Sequence, residues 1–301
     1  MDQLYPFSSL VFVQRCESSS RSFANLYECP ETKLKYMVKY FSKDMNKVSH
    51  EYALISKFSH PNIIKAYKIK KENKEYLVTE FMDLGDLYKI VNQYAARLIC
   101  HSKLKSFQFQ ETFWRSIFKQ LVEGLVYLEN KGYAHCDIKP ENIVLNDDFN
   151  VKLIDFEFCL EAKNEDGTPK LTKLYQGSPS YMAPEIRNQN YPYDPCKSDV
   201  FSMGTTLINL IFGHDFFPEE ILKNGFPLMK WLQEHDFEKI WHTFDKDNLI
   251  SYFAKDFIEH SLAFNVNERW SFEELLSHAW FHEEVFTGEE MKKVLQKRMR
   301  V

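Results

Sequence analysis

The run His135-Cys136-Asp137-Ile138-Lys139-Pro140-Glu141-Asn142 is followed, thirteen residues after Asn142, by Asp155-Phe156-Glu157. Asp137 is a candidate base with the cation Lys139 beside it, and Asn142 and Asp155 carry the hard oxygen donors that divalent ions such as Mg²⁺ take. Taken singly, each is as well explained as a turn or capping residue. Their order and spacing make a common site the better account. Between them, Ile143-Val144-Leu145 and Val151-Lys152-Leu153-Ile154 flank the turn-forming Asn146-Asp147-Asp148-Phe149-Asn150, which predicts a β-hairpin. Such a hairpin carries polar groups on both sides of one pocket.

These side chains act only if held in place, and the rest of the sequence supplies two unlike halves to hold them. Before residue 90, β-branched and aromatic residues broken by turn signals predict strands over 9–13, 25–29, 34–40, 64–68 and 75–80. Residues 48–58 carry apolar side chains near helical spacing, with Pro61 soon after, and predict one helix beside a mostly antiparallel sheet. From Thr112 the repeat Phe113, Ile117, Leu121, Leu125 and Leu128 predicts a long buried helix, and further helices are expected over 197–212, 218–222, 249–262 and 271–278. The change of character near Met82 to Asp86 marks a hinge, and a cleft between unlike lobes is a common place for a ligand. Residues 92–110 are less regular, and Arg97, His101, Lys103 and Lys105 make them basic, so a solvated loop is expected there. Residues 289–301 are expected to form an ordinary terminal helix, amphipathic with a basic face.

A chain of 301 residues accommodates two lobes or one large domain. It has no apolar run of the ~18 residues that span a membrane. Met1 to Phe7 also lack the basic start and apolar core of a secretory signal. An intracellular, cytoplasmic protein with no membrane partner is therefore expected. Cys16, Cys29, Cys100, Cys136, Cys159 and Cys196 form no Cys-x-x-Cys pair, which favours reduced thiols over a zinc site or a disulfide framework. A net charge of −5 gives no reason to expect nucleic acid as a partner.

The two polar motifs resemble the catalytic loop and the metal-binding loop of eukaryotic-type protein kinases of the serine/threonine kind. The resemblance continues at Lys39, after Tyr36-Met37-Val38, and at Glu51, ahead of His60-Pro61-Asn62-Ile63. It extends through Gly177-Ser178-Pro179-Ser180-Tyr181-Met182-Ala183-Pro184-Glu185, Asp199-Val200-Phe201-Ser202-Met203-Gly204 and Asn267-Glu268-Arg269-Trp270. It implies an α+β, bilobal protein kinase fold with a small β-rich N-lobe (9–79), a hinge (80–86) and a larger α-helical C-lobe (87–282). Residues 1–8 would precede the domain and residues 283–301 would form a C-terminal tail. ATP and Mg²⁺, with Mn²⁺ as an alternative, are the implied cofactors, and a protein or peptide is the implied substrate.

In that family phosphoryl transfer is driven mainly by positioning and charge neutralisation, because negative charge is spread over the phosphate oxygens in the transition state. The resemblance implies that Asp137 accepts or orients the substrate hydroxyl proton and that Lys139 holds the transferring phosphate, favouring serine and threonine over tyrosine. Lys39 would meet the nucleotide phosphates with Glu51 as its partner, and Asn142 and Asp155 would bind the metal. Leu26, Met37 and Val144 would line the base, Thr79 would be the gatekeeper, and the backbones of Glu80 and Met82 would face the adenine edge. Asp199 would brace the catalytic loop, and Glu185 would pair with Arg269.

Several positions depart from the family pattern. Cys136 stands where the family has arginine, so a phosphorylated activation segment would lack its central cationic partner; a packed, inert thiol is expected. Thr168, Thr172 and Ser178 are candidate phosphosites. Glu157 replaces a glycine, removing its conformational freedom and placing a carboxylate near the metal. Ser19, Arg21 and Ala24 occupy the three glycine positions of the phosphate-covering loop, which predicts weakened or altered nucleotide binding. Met37 makes the roof above adenine bulkier, and Glu141 would favour a basic substrate residue. The ending His278-Ala279-Trp280-Phe281 loosely resembles calcium/calmodulin-dependent kinase relatives. Two functions follow: a protein serine/threonine kinase transferring the γ-phosphate of ATP, or a pseudokinase acting as a nucleotide-binding or protein-interaction scaffold. The complete set Lys39, Glu51, Asp137, Asn142 and Asp155 favours the first.

Overall fold

The computed structural model describes residues 9–16, 22–41, 46–71, 74–98, 105–189, 192–212, 228–245 and 248–299. Its N-terminal part is an antiparallel sheet of β1 (Val11–Cys16), β2 (Ser22–Glu28), β3 (Lys35–Phe41), β4 (Ala66–Lys71) and β5 (Lys74–Glu80) in the order β1-β2-β3-β5-β4. One helix, α1 (Asn46–Ile55), lies between β3 and β4 in the chain. Alternation along β3 sends Met37 and Lys39 to one face and Val38, which is 1% exposed, to the other. Strand pairing lines up Leu26, Met37 and Thr79 across β2, β3 and β5, with Ala24, Lys39 and Leu77 in register two residues along. On α1, Val48, Leu54 and Ile55 are buried at helical spacing, and Glu51 falls on the same face. A carboxylate buried among apolar groups requires a partner.

Beyond β5 the chain passes through residues 81–84 to β6 (Gly85–Asp86), α2 (Leu87–Leu98) and α3 (Lys105–Asn130). Among its described residues the loop expected over 92–110 is mostly helix, because Tyr94 and Leu98 continue the apolar period of Leu87, Ile90 and Val91, and Phe109 precedes Phe113 by four residues. Residues 99–104 of that region lie outside the described residues, as does the helix expected over 218–222.

The central polar region follows as β7 (Tyr133–Ala134), β8 (Ile143–Leu145), β9 (Val151–Leu153) and β10 (Leu160–Glu161). β8 and β9 form the predicted antiparallel hairpin, and β6 pairs with β8 on its other edge. Asn146 closes the turn by accepting at Oδ1 from the N–H groups of Asp148 (3.1 Å) and Asn150 (2.9 Å). This is an Asx-type turn, the reason asparagine suits that position.

The remaining elements are helical: α4 (Pro184–Arg187), α5 (Pro195–Phe212), α6 (Leu228–Gln233), α7 (Phe237–Phe244), α8 (Tyr252–Ser261), α9 (Phe272–Leu276) and α10 (Gly288–Met299). α5 is buried almost all round, and its buried polar residues, Asp199 and Ser202 among them, are bonded to neighbouring backbone. It forms the spine on which the loops of the site rest. No helix among the described residues is long and apolar enough to cross a membrane. Cys16, Cys29, Cys136, Cys159 and Cys196 are free thiols, and Cys100 lies outside the described residues.

Candidate active site

The hairpin gathers the polar residues at its open end. Asp137 Oδ2 accepts from Lys139 Nζ at 2.7 Å and from Asn142 Nδ2 at 3.0 Å, while Asp137 Oδ1 accepts from Ser178 Oγ at 2.8 Å. Lys139 Nζ also donates to Ser178 Oγ at 2.7 Å. Asp137, Lys139 and Ser178 therefore close a triangle, and three donors fix the direction of the Asp137 carboxylate. Asn142 donates again to the Asp137 carbonyl at 2.8 Å, which commits its amide nitrogen and leaves its oxygen as the candidate ligand.

Lys39 forms the second centre. Its Nζ lies 3.1 and 3.0 Å from the two Glu51 oxygens and 2.8 Å from Asp155 Oδ1. Burial opposes the charge on Lys39, but Glu51 and Asp155 outweigh it and raise the ammonium above its usual pKa. Burial likewise opposes ionisation of Asp155, yet Lys39 holds that carboxyl below its ordinary value. Burial pushes the Glu51 carboxyl up against the pull of Lys39. With one Asp155 oxygen on Lys39 and the Asn142 amide nitrogen on Asp137, the other Asp155 oxygen and the Asn142 amide oxygen are hard donors of the kind that Mg²⁺ or Mn²⁺ takes.

The residues expected around the base fall along the sheet and linker. Leu26, Met82 and Val144 are buried, and Met37, Thr79 and Glu80 are half-buried. The Glu80 side chain accepts from Lys152 Nζ (3.0 Å) and Lys65 N (3.3 Å), and Leu84 N donates to Leu145 O (3.1 Å). The linker is thereby tied to the hairpin. Of the phosphate-loop positions, Ala24 sits on β2 opposite Lys39, while Ser19 and Arg21 lie outside the described residues.

The catalytic-loop backbone is held from below. Asp199 accepts from His135 N at 2.6 Å and Cys136 N at 2.8 Å, which secures Cys136 in a left-handed conformation (φ 63°) that a side-chain-bearing residue adopts only at a cost. Burial pushes the Asp199 carboxyl up to about 8 against the pull of those two donors. Burial also pushes the Cys136 thiol far up, and the Asp199 carboxylate adds to that, so the thiol is protonated and inert at neutral pH. Gly177, at φ 101°, passes so close that a Cβ there would lie 2.7 Å from the Cys136 carbonyl. Only glycine fits that crossing.

His135 is fully buried, with Nδ1 accepting from Asp137 N (3.3 Å) and Nε2 donating to Ile154 O (2.9 Å), a neutral ring joining the two motifs. Its ring packs edge-on against Phe156, centroids 4.9 Å apart. Burial lowers its pKa below the ordinary 6.5. The unfolded chain then binds the extra proton, so this stabilisation is complete above pH 6.5 and is lost as pH falls below it, with a limiting slope of about 1.4 kcal/mol per pH unit. His135→Tyr should lose less stability than the native chain between about pH 7 and 5.5 in urea titrations. Parallel losses in the two proteins would contradict this assignment.

The sequence matches the protein kinase domain family over residues 22–281. The chain belongs to the protein kinase family. It is 31% identical over 233 residues to testis-specific serine/threonine-protein kinase 1 of Homo sapiens, covering 76% of this chain and 58% of that protein. It is 31% identical over 238 residues to the SNF1-related protein kinase catalytic subunit alpha KIN12 of Arabidopsis thaliana (78% and 42%). It is 29% identical over 241 residues to the serine/threonine-protein kinase kin-29 of Caenorhabditis elegans (80% and 26%). The chain thus spans between about a quarter and three-fifths of the length of these relatives.

In this protein kinase the α+β architecture is the bilobal one, and several residues take parts the sequence did not reveal. Ser178, a candidate phosphosite by sequence, is hydrogen-bonded to both Asp137 and Lys139, so a phosphate there would set negative charge against Asp137. Ser198, Ser202 and Thr206 recur at four-residue spacing on α5: Ser198 Oγ lies 3.1 Å from Glu185 Oε1 and Ser202 Oγ 2.9 Å from Tyr181 O, while Thr206 Oγ1 donates to Ser202 O at 2.8 Å with Ile138 O at 3.4 Å. This polar stripe in an apolar helix was the available signal, since i, i+4 and i+8 share a face. Glu185 also meets Arg269 at 2.6 and 3.1 Å, the pairing the motifs implied.

Glu157 corrects an expectation. Asp155, and not Glu157, has the left-handed backbone (φ 63°), so glycine's freedom is not required at 157. Glu157 lines an open cavity of about 590 Å³ with His50, Lys57 and Tyr133 beneath α1, and its charge acts on Glu51. Glu157→Gly should leave the Mg²⁺ and Mn²⁺ optima within about twofold of native while costing roughly 0.5–1 kcal/mol in backbone entropy. A displaced metal optimum in steady-state assays would show that this carboxylate acts on the metal after all.

Asp256, His260 and His278 also place ligand-type atoms within 4.8 Å of one another, but hydrogen bonds commit them to structure. His278 Nδ1 accepts from Trp280 N (3.0 Å), which puts the ring proton on Nε2, facing Asp256 Oδ2 at 2.8 Å. A metal at Nε2 would move that proton to Nδ1, against the Trp280 N–H. His278 caps the 3₁₀ turn Ala279–His282.

Proposed function

We propose that the chain is an ATP-dependent protein serine/threonine kinase transferring the γ-phosphate to a protein hydroxyl. The observation that carries this reading is the joined polar set: Lys39 on Glu51 and Asp155, and Asp137 on Lys139, Asn142 and Ser178. Asp137 takes the proton of the attacking serine or threonine hydroxyl at its carboxylate. Lys139 stands beside it, where its charge meets the phosphate being transferred. Lys39, kept charged by its two carboxylates, holds the nucleotide phosphates, and Glu51 fixes its direction. Asn142 and Asp155 hold Mg²⁺ or Mn²⁺, which when bound neutralises phosphate charge. Leu26, Met37, Thr79, Glu80, Met82 and Val144 form the adenine site. Ser178 orients the Asp137 carboxylate, a positioning part that its two hydrogen bonds support.

The relatives' names as serine/threonine-protein kinases support the substrate class. The intracellular setting and the preference of Glu141 for a basic residue belong to the same proposal. With Mg²⁺ and ATP radiolabelled at the γ-phosphate, the chain should transfer label to serine and threonine peptides of a mixed library, and not to tyrosine peptides. Nucleotide binding without transfer to any peptide would overturn the reading in favour of a scaffold.

A further inference from the structure

Packing in this kinase continues beyond residue 281, where the family match ends. Glu284 O accepts from Arg115 Nη1 at 2.7 Å and Phe286 N donates to Ser116 Oγ at 2.7 Å, so the chain leaving the domain lies along α3. Thr287 then caps α10: its Oγ1 accepts from Glu290 N at 3.3 Å, while Glu290 Oε2 accepts from Thr287 N at 2.8 Å. This reciprocal cap fixes where the helix starts. Met291 on its first turn is 1% exposed. Gly288 faces the hairpin turn, where a Cβ would lie 2.1 Å from the Asp148 carbonyl oxygen. Its backbone is outside the left-handed region, so close contact alone calls for glycine.

The same turn is held by α3. Gln120 Nε2 donates to Phe149 O at 3.1 Å, and Gln120 Oε1 accepts from Val151 N at 3.0 Å. Ser116 and Gln120 are one helical turn apart, so one face of α3 carries both the tail and the turn.

We propose that residues 284–291 are a positioning element for the metal-binding hairpin, clamping the 146–150 turn against α3 and thereby fixing Asn142 and Asp155. The proposal rests on those two residues being the metal ligands. β8 and β9 have three residues each, roughly 10 Å at ~3.3 Å per residue, too short to absorb a displaced turn. At the far end Ile154 N donates to Asn142 O at 3.0 Å, which ties the two ligand-bearing segments together. A shift at Asp148 is passed to both.

The test uses the full chain with Gly288→Ala, Met291→Asp and, as an exposed control, Lys293→Ala. Hydrogen exchange is followed at the amides of Asp148, Phe149 and Asn150, together with the Mg²⁺ concentration giving half-maximal turnover. Gly288→Ala and Met291→Asp should speed exchange in the turn by about tenfold and leave α5 protected, because local opening differs from global unfolding. Both should raise the Mg²⁺ requirement severalfold, while Lys293→Ala matches native. Unchanged exchange in the turn, or equal acceleration in α5, overturns the clamp. Faster exchange in the turn with an unchanged Mg²⁺ requirement in an active enzyme overturns the link to the ligands. If no variant and no native chain transfers phosphate, the kinase reading fails, and exchange still decides whether the clamp exists.

Discussion

Asp137→Asn should lower kcat on a serine or threonine peptide by about 10³-fold, within the range for loss of a positioned general base, and leave nucleotide affinity within about twofold. The native carboxylate offers Oδ1 to Ser178 and Oδ2 to Lys139 and Asn142. An asparagine offers one oxygen: its amide nitrogen meets the donors Lys139 and Asn142 on one side, and on the other turns the Ser178 hydroxyl from donor to acceptor although it already accepts from Lys139. Both the proton acceptor and the geometry of the triangle are lost, whereas Lys39, Glu51 and Asp155 keep their mutual contacts. Single-turnover kinetics and equilibrium titration with a fluorescent nucleotide separate the two effects. A variant that keeps more than about a tenth of the native rate would remove Asp137 from the role of base.

The largest effect on stability is expected at Arg269. Its side chain is fully buried, and it donates to Glu185 at 2.6 and 3.1 Å, to Lys197 O at 2.9 Å and to Ala263 O at 3.0 Å. Arg269→Ala leaves the Glu185 carboxylate without its cation and two carbonyls without their donors, for a loss of about 3–5 kcal/mol. Thermal denaturation should show a fall on the order of 10 °C. Arg269→Lys should recover little, since one ammonium cannot reproduce a planar fork bonded on three sides. A loss below about 1 kcal/mol for Arg269→Ala would mean the pair is worth no more than an exposed one.

How much was legible beforehand depended on the range of the interaction involved. The hairpin, the strands of the sheet and α5 follow from local chemistry: β-branched runs, an Asn-rich turn and apolar periods of two or near four. The 92–110 region differs from expectation because its apolar residues are the ends of two periods that begin outside it, Leu87, Ile90 and Val91 on one side and Phe113 on the other, so neither stripe is complete within the region. Glu157 differs from expectation for another reason. A substitution of glycine shows that freedom is gone, and only the backbone angles show whether freedom was needed.

By itself the sequence determined which groups could do chemistry, because the order Lys39, Glu51, Asp137, Lys139, Asn142, Asp155 specifies side-chain types and the spacing specifies a hairpin. The tertiary structure decided how those groups meet. It brought Lys39 within 2.8 Å of a carboxylate 116 residues away, placed Ser178 between Asp137 and Lys139, and seated Gly288 on the hairpin turn. Each of these joins residues far apart in the chain. Sequence periodicity reports which face of an element is buried, and it carries no record of the partner that covers that face.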